Sequence, residues 1–490
     1  MTTSAAGVRI WHSAPPRTDV LLGPLRMSAQ SIVTTILMVA MPTMAIAQQP
    51  ALARIDSVVR AEMARQRMPG VAVAVVKGGS VMLSKGYGES NIEHHVPVTD
   101  STLFQSGSVG KQFTSAAVML LVEEGKIGLG DSITKYFPTA PASWRGITVR
   151  HLLTHTSGIP DYTTDAMDYR RDYTEDELAQ MAFGLTPEFP PGSRWNYSNT
   201  GYVLLGIIIH KASGKFYGDV LRERVFTPLG MSTARVISED DIISNRAAGY
   251  RLAHGELKNQ EWVAPKLNTT ADGSLYLSLR DYIAWDRGLR DKTVLKPESW
   301  ATINTPVTLT SGKRYPYGFG WSIDTVAGQL RIHHGGAWQG FQTYISRYLG
   351  DDVTIVALSN LGASQPGVIV DGIAAVLNPA LADKPPTPIA ESEPAVRQRL
   401  EAVLAATRDG KLSPNDFAYV RAGFFPRAAA AYQQALQGVG VPDKVTLYER
   451  RALGDDRIYL YEVAYGAKVF RVTLGLAPDG KVSAFGLRRK

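Results

Sequence analysis

The segment 104–116, FQSGSVGKQFTSA, combines three serines with one lysine where the chain changes from glycine-rich to apolar. Ser108 and Lys111 are three residues apart, and in a helix this spacing brings two side chains onto the same face. Apolar residues around and after them recur at helical spacing: Val109, Phe113, Ala116, Ala117, Leu120 and Leu121. Gly125 is suited to end such a helix. The sequence therefore predicts that Ser108 lies at or near the N-terminus of a buried helix.

This placement gives Ser108 the surroundings of a nucleophile. The Lys111 amine would lie within reach of the serine hydroxyl, and a lysine among apolar groups loses proton affinity and becomes a usable base. Free N–H groups and the positive end of the helix dipole stabilise negative charge on a substrate oxygen. We therefore expect acyl transfer through Ser108, with Lys111 accepting its proton.

Other serines fit this role less well. Ser132 and Lys135 form a second Ser-x-x-Lys pair, but no long apolar helix follows them, so we expect a turn and a helix cap there. Ser106 and Ser115 have no lysine or histidine at a helical offset. We expect Ser106 to support the loop or cap the helix.

Two further motifs carry groups suited to the same chemistry. Tyr197 and Asn199 lie on a polar loop before an apolar run, and the pattern Tyr-x-Asn occurs once in the chain. A tyrosine beside a lysine can share its proton, and an asparagine amide can bind a substrate amide. The motif 334–336, His-Gly-Gly, ends a predicted strand, where paired glycines permit a close approach. Taken singly, each motif also has a purely structural interpretation. The first is then a loop tyrosine followed by an asparagine that caps a helix, and the second is a glycine bend beside a surface histidine.

In their order along the chain, Ser108-x-x-Lys111, Tyr197-x-Asn199 and His334-Gly335-Gly336 resemble the serine β-lactamase and penicillin-binding-protein superfamily, nearest its class C β-lactamase branch. The phrases HLLTHTSGIPDY, PGSRWNYSNTGYVLLG, PLGM, GSLYLSLRD and YGFGW are also similar to that branch, over about residues 51–378.

The resemblance implies a role for each of these positions. Ser108 would be acylated, while Lys111 and Tyr197 would exchange protons with it and with the leaving group. Asn199 would hold the substrate amide. The backbone N–H groups of Ser108 and Ala337 would form the oxyanion hole. His334, Gly335 and Gly336 would line the substrate site.

One departure from the family pattern limits the choice of substrate. β-Lactamases and cell-wall carboxypeptidases usually carry Lys-Thr-Gly or Lys-Ser-Gly at this point, and their lysine helps to attract a substrate carboxylate. His334 would be mostly neutral at pH 7, and Gly335 offers no hydroxyl. The resemblance therefore leaves D-amino-acid peptides, esters and β-lactams open as substrates. A D-Ala-D-Ala carboxypeptidase of cell-wall metabolism is the first alternative, and a non-catalytic peptidoglycan-binding protein of this fold is the second.

The strand pattern indicates an α/β (α+β) fold. Strands are predicted at residues 71–76, 80–87, 331–336, 342–349 and 353–360, with helices and loops between the two groups. We expect one antiparallel five-stranded sheet flanked by helices, with a largely helical insertion, as in β-lactamases and transpeptidases. A helix over 51–70 would precede the sheet and end at Gly70. A doubly wound esterase is disfavoured, because a nucleophile elbow needs glycine where Ser106 stands.

A proline-rich segment, LADKPPTPIAESEP, interrupts the pattern and reads as a linker. We expect a leader at 1–47, the hydrolase domain at 48–380, the linker at 381–392 and a small α+β domain at 393–490. This last domain is predicted to contain helices near 395–406 and 427–436 and strands at 457–465, 468–477 and 481–489. It could cover the active-site mouth, mediate association or bind cell-wall material.

The leader has the features of an export signal. Its apolar stretch, 31–40, is too short to span a bilayer, and Ala-Ile-Ala at 45–47 precedes Gln48. We expect cleavage before Gln48, a periplasmic or secreted protein, and no stable membrane span afterwards. An uncleaved anchor is the alternative, and translation could start at Met1 or Met27.

Composition excludes several other functions. The net charge of +7 is modest for 490 residues, and no basic run is interleaved with aromatics, so we expect no nucleic-acid partner. The absence of cysteine excludes disulfides and a thiol nucleophile. His151 and His155 have the spacing of a zinc helix but lack its glutamate, so we expect a structural His155, no metal and no cofactor. The expected partner is a small molecule or peptide, including cell-wall peptide.

Overall fold

The computed structural model describes residues 33–163, 167–420 and 424–490, and for residues 33–49 it gives the helical backbone only. The strands are β1 Gly70–Lys77, β2 Ser80–Asn91, β3 Val96–Pro97, β4 Phe104–Gln105, β5 Arg235–Val236, β6 Tyr250–Ala253, β7 Glu256–Asn259, β8 Leu275–Leu277, β9 Val307–Thr308, β10 Arg314–Tyr315, β11 Ser322–Val326, β12 Gln329–Trp338, β13 Phe341–Tyr348, β14 Val353–Ser359, β15 Lys444–Leu453, β16 Asp456–Tyr465, β17 Lys468–Leu476 and β18 Val482–Arg489.

The α-helices lie before, between and after these strands. They are α1 Val33–Gln66, α2 Lys111–Glu123, α3 Val149–Leu153, α4 Glu175–Phe183, α5 Asn199–Ser213, α6 Tyr217–Leu221, α7 Thr227–Leu229, α8 Leu279–Arg290, α9 Pro297–Ile303, α10 Pro366–Leu377, α11 Pro394–Arg408 and α12 Ala429–Ala435.

The main sheet is antiparallel and has the order β11-β12-β13-β14-β1-β2-β3. Strand β1 is buried on both faces because apolar layers cover the sheet from each side. Its alternate residues Val71, Val73 and Val75 pack with apolar residues of α1 and α10. Ala72 and Ala74 join the larger core of the helical insertion, to which α2, α5 and α8 contribute. The period-two alternation of a strand therefore serves both cores.

The predicted architecture is confirmed. All five predicted strands are present as β1, β2, β12, β13 and β14, and the insertion between β2 and β11 is largely helical. Two strands that the sequence did not indicate extend the sheet: β11 pairs with β12 at one edge, and the two-residue β3 pairs with β2 at the other.

The helix before the sheet ends earlier than predicted. It ends at Gln66, and Arg67 adopts a left-handed backbone with a φ of 60°. Gly70 is instead the first residue of β1. A side chain there would collide with the carbonyl oxygen of Glu89 in β2. Gly70 therefore lets β1 and β2 approach each other closely, and it does not end the helix.

A smaller antiparallel sheet, β15-β16-β17-β18, forms a C-terminal domain with α11 and α12. Its own apolar core contains Leu400, Leu404, Tyr461, Val472 and Leu474. The three predicted strands are β16, β17 and β18, and the predicted helices correspond to α11 and α12. Strand β15 was not predicted. The exact boundaries proposed for leader, hydrolase domain, linker and C-terminal domain stay predictions.

Most of the leader, residues 1–32, lies outside the described residues. The start codon and the cleavage before Gln48 therefore stay predictions. Among the residues that the structure describes, none of the helices combines the length and apolar character needed to cross a membrane.

Asn360 ties three segments of the sheet together. Its fully buried side chain accepts a hydrogen bond from Gly70 N at 2.8 Å and donates to the Glu89 carbonyl oxygen at 3.1 Å. We predict that Asn360→Ala lowers the free energy of unfolding by about 1–3 kcal/mol, because buried backbone groups lose their partner. Chemical denaturation measures this, with the exposed Asn259→Ala as the control expected to stay within about 0.5 kcal/mol. Equal stability of the two variants would contradict the assignment.

Candidate active site

Ser108 lies in a short turn that leads into α2. Residues Gly107–Gly110 form a 3-10 helix, and Lys111 is the first residue of α2. Gly107 has a φ of 50°, and a Cβ there would collide with the backbone nitrogen of Ala337 in β12. Glycine therefore lets the turn approach the main sheet. The predicted position of Ser108, at the start of a buried helix, is confirmed.

Lys111 is fully buried, and its amine reaches three oxygen atoms. Nζ donates to Ser108 Oγ at 3.2 Å, to Asn199 Oδ1 at 2.6 Å and to the Asp272 carbonyl oxygen at 2.5 Å. It also lies 5.0 Å from the ring centre of Tyr197, close enough for a cation–π contact. One amine thus joins four residues from three separate parts of the chain.

Burial lowers the pKa of Lys111 to about 8, because the charged amine has lost its hydration. The negative charges of Asp272 and Asp161 oppose this shift. An ordinary lysine has a pKa of about 10.4 and is almost entirely protonated at neutral pH. With a pKa of about 8, roughly one Lys111 in ten is neutral at pH 7. Lys111 can therefore exist as either a proton donor or a proton acceptor under ordinary conditions.

Two carboxylates that sequence reasoning missed organise the wall behind this amine. Asp161 accepts from the backbone nitrogen of Asn199 at 3.0 Å and from its Nδ2 at 2.9 Å. These bonds fix the amide so that Oδ1 faces Lys111. Asp272 accepts from the Tyr162 hydroxyl at 3.0 Å, which holds the segment whose carbonyl oxygen accepts a hydrogen bond from Lys111.

The Tyr197 hydroxyl is buried in the same centre. Burial raises its pKa well above the ordinary value, and the neighbouring Ser108 hydroxyl opposes this shift. No described residue offers this oxygen a hydrogen bond of good geometry. A buried hydroxyl without a partner is costly. A group that arrives with a substrate can supply the missing bond.

His334 is held in one neutral form by a chain of hydrogen bonds. Ser198 N donates to His155 Nδ1 at 3.1 Å, so His155 carries its proton on Nε2 and donates to the Tyr317 hydroxyl at 3.2 Å. Tyr317 then donates to His334 Nε2 at 2.9 Å. His334 Nδ1 donates to the Gly335 carbonyl oxygen at 2.6 Å. Both nitrogens of each ring are thus engaged, and both rings are neutral.

Electrostatics agree with this assignment. Burial and the nearby charge of Lys111 lower the pKa of His334 to about 3, and burial lowers that of His155 well below its ordinary value. This shift agrees with the prediction that His334 is neutral at pH 7, which stays a prediction. The alternative of a surface histidine is wrong, since His334 is buried.

The strand segment that follows His334 borders the serine turn. Strand β11 pairs with β12 no further than His333, so 334–338 has no β11 partner. A Cβ at Gly336 would collide with the Ser106 carbonyl oxygen and lie 3.0 Å from the Ser108 nitrogen. The backbone of 336–337 therefore packs directly against 107–108. This contact brings the N–H groups of Ser108 and Ala337 close together, as an oxyanion hole requires.

Two clefts open beside Ser108. A narrow one is lined by Ser108, Asn199, Asp272 and Ala337, among others. A wider cleft of about 590 Å³ begins at Ser108 and Tyr197 and passes along 334–337 to α10, where Asp371 lies. The structure thus brings the other seven predicted site residues around Ser108: Lys111, Tyr197, Asn199, His334, Gly335, Gly336 and Ala337.

Comparison with known proteins agrees with this geometry. The family model described as Beta-lactamase matches residues 55–377. The chain belongs to the beta-lactamase family of serine hydrolases. It is 32% identical over 305 residues to penicillin-binding protein 4* of Bacillus subtilis, covering 59% of this chain and 67% of that protein. It is 31% identical over 317 residues to a D-aminopeptidase of Gluconobacter oxydans, covering 63% of this chain and 59% of that protein. The match thus spans about three fifths to two thirds of these relatives.

Solved structures of the family share the fold. A D-amino acid amidase from Ochrobactrum anthropi SV3, complexed with L-phenylalanine amide, has a TM-score of 0.60 at 25% identity, covering 68% of this chain and 99% of that one. The octameric penicillin-binding protein homologue from Pyrococcus abyssi has a TM-score of 0.61 at 24% identity, covering 86% and 90% of the two chains. The latter likeness concerns the fold alone.

Ser132 and Ser106 have the structural roles that the sequence predicted. Ser132 caps the 3-10 helix Ile133–Lys135, and the Lys135 amine pairs with Asp131 at 2.8 Å. Ser106 supports the loop by donating to the Gly273 carbonyl oxygen at 2.8 Å. Ser115 is buried and shares a hydrogen bond with Tyr202.

The histidines that suggested a zinc helix have protein partners. His151 Nδ1 accepts from the Thr148 nitrogen at 3.2 Å within a helix cap. The prediction of a structural His155 is confirmed by its bonds to Ser198 and Tyr317. Within the described ranges, no group of three or more histidines and carboxylates is arranged to hold a metal ion.

We predict that the His334 ring keeps its proton on Nδ1 and does not titrate between about pH 5 and pH 8. The reason is that a protonated ring would have to give up the Tyr317 hydrogen bond inside a buried site. Nitrogen NMR of histidine-labelled protein measures this, with His334→Asn identifying the signal. A ring that becomes protonated near pH 6.5 would contradict the hydrogen-bond chain.

Proposed function

We propose that the protein hydrolyses an amide bond through an acyl-enzyme on Ser108. The observation that carries this proposal is the buried Lys111 amine, which lies 3.2 Å from Ser108 Oγ and has a pKa of about 8. A serine hydroxyl is a weak nucleophile until a neighbouring base removes its proton. The neutral form of Lys111 supplies that base.

In the acylation step, the Ser108 proton passes to Lys111 while Oγ bonds to the substrate carbonyl carbon. The carbonyl oxygen becomes negatively charged and accepts hydrogen bonds from the N–H groups of Ser108 and Ala337. When the C–N bond breaks, the leaving nitrogen receives a proton. Tyr197 is placed to deliver it, and Lys111 makes up the loss. A water molecule then attacks the ester carbon, and Oγ recovers its proton as the acid departs.

Asn199 positions the substrate in this scheme. Asp161 and Lys111 fix the two ends of its amide. One hydrogen of Nδ2 donates to Asp161, and the other would donate to a carbonyl group of the substrate. The amide is held before substrate arrives, so little ordering is needed on binding.

The wider cleft favours leaving groups without negative charge. His334 is neutral, and the Asp371 carboxylate that lines this cleft is paired with Arg331 at 3.2 Å, so neither residue offers a free positive charge to the substrate. A substrate carboxylate would find no lysine where carboxypeptidases usually carry one. Together with the D-aminopeptidase and D-amino acid amidase relatives, this supports a D-amino acid amide or D-peptide as substrate, with a leaving amine that bears no carboxylate. The likeness to the class C branch supports the same chemistry.

We also propose that the protein acts outside the cytoplasm. The support is the pattern of an apolar stretch at 31–40 followed by Ala-Ile-Ala at 45–47. Cell-wall peptides and their D-amino acid products would be accessible there.

We predict that Ser108→Ala lowers kcat for D-phenylalanine amide by more than about a thousandfold, because the Ser108 hydroxyl is the group that forms the acyl-enzyme. Ser132→Ala is the matched control and should retain full activity. Ammonia release measures turnover, and intact mass detects an adduct. Equal activity of the two variants would contradict the assignment.

The same assay separates the alternatives by substrate. A preference for a peptide ending in D-Ala-D-Ala, or a stable penicillin adduct on Ser108, would favour the carboxypeptidase alternative. A lack of both turnover and adduct with all three compounds would favour a non-catalytic binding protein.

A further inference from the structure

The C-terminal domain touches the catalytic domain through the turn between β15 and β16. Asp456 accepts from Arg194 Nη1 at 3.2 Å, and Asp455 accepts from Ser311 Oγ at 2.7 Å. Gly454 directly precedes these carboxylates in the chain and packs against Leu309 of the catalytic domain. A Cβ at Gly454 would lie 3.0 Å from the Leu309 side chain. The turn therefore rests on two segments of the catalytic domain at once.

The Arg194–Asp456 pair is largely shielded from water. The two side chains are 22% and 18% exposed, and the arginine also lies 5.6 Å from the ring centre of Tyr419. Breaking such a pair by removing one partner leaves the other charge poorly solvated, which costs much more than breaking an exposed pair. Arg194 is thus strongly anchored to the C-terminal domain.

Arg194 is three residues before the tyrosine of the active site. Trp195 follows Arg194 in the chain, and its ring stacks on that of Tyr315 with ring centres 4.5 Å apart and planes at 11°. The Trp195 ring also lies 6.3 Å from that of Tyr197 and 5.9 Å from that of His155. Trp195 therefore connects Arg194, its neighbour in the chain, with the rings of Tyr197 and His155.

A cavity beside the contact makes this anchor more important. It has a volume of about 280 Å³ and lies between the two domains, lined by 193–196, Tyr315, Tyr419, Asp456, Ser483 and Phe485, among others. Open space on this side means that close packing does not by itself hold 193–196 in place. Asn196 is held by the catalytic domain itself, through its N–H bond to the His155 carbonyl oxygen at 3.0 Å, and the polar contacts of the turn restrain the Arg194 end of the segment.

We propose that the C-terminal domain positions the catalytic tyrosine, and that Asp456 is the residue through which it does so. Asp456 fixes Arg194, the Arg194–Trp195 segment fixes the ring of Tyr197, and the hydroxyl stays aimed at Ser108. Asp456 is a positioning residue in this scheme, because it touches neither substrate nor the reacting atoms. The inference rests on the proposed role of Tyr197 in proton transfer.

A mutant cycle in the full chain tests this inference, with D-phenylalanine 4-nitroanilide as the substrate. We predict that Asp456→Asn lowers kcat about tenfold while KM stays within about twofold, because a misplaced proton donor slows the chemical step. In a Tyr197→Phe background the same change should alter the residual kcat by less than about twofold, because the group it positions is gone. Asp456→Glu keeps the carboxylate and should restore most of the rate.

The control is Glu401→Gln, which removes an exposed ion pair with Arg397 on α11 and should leave kcat unchanged. An equal loss from Asp456→Asn in both backgrounds, or wild-type kcat in that variant, would overturn the inference. If Asp456→Asn does not fold, Arg194→Gln, which removes the other partner of the same ion pair, takes its place with an expected loss of about tenfold, judged by the same two outcomes. Full activity of Tyr197→Phe would instead contradict the proposed role of the tyrosine, whatever Asp456 does.

Discussion

The burial of the Lys111 amine is the constraint on which the active site depends. A charged amine is costly to remove from water, so every position around it must supply an acceptor or a counter-charge. Asn199 and the Asp272 carbonyl supply acceptors, and the carboxylates of Asp161 and Asp272 supply the charge. Their partial compensation leaves the amine with a pKa of about 8. The residues that hold Lys111 in place are thus the same ones that set its chemistry.

Close contact between backbones places the other groups around this amine. Gly107 and Gly336 let the serine turn meet β12, which is possible because neither has a side chain between the two backbones. Strand β12 in turn carries His334, whose neutral form depends on a hydrogen bond from Tyr317, which accepts one from His155. The helical insertion supplies Asn199 and Tyr197, and the C-terminal domain contacts the segment just before them. Three separate parts of the chain therefore meet at the Ser108 hydroxyl, and the C-terminal domain contacts one of them.

The sequence was sufficient where chemistry depends on short-range spacing. Ser108 and Lys111 were assigned from a helical offset, and the five central strands from apolar runs and turns. Asp161 and Asp272 were missed because their role comes from contacts across long stretches of sequence, with no spacing to mark it. Tyr317 was missed for the same reason. Strands β3 and β11 are short or polar, and the charged residues of β15 conceal a strand that is paired along one edge only.

The central claim is that neutral Lys111 accepts the Ser108 proton, and the pH dependence of kcat/KM tests it most directly. The folded pKa of about 8 means that the base is protonated, and inactive, below that pH. With D-phenylalanine amide, kcat/KM should rise about tenfold per pH unit in the acidic range and level off above about pH 8. A profile that is flat from about pH 6 to about pH 9, or that falls as the pH rises through 8, would contradict the account.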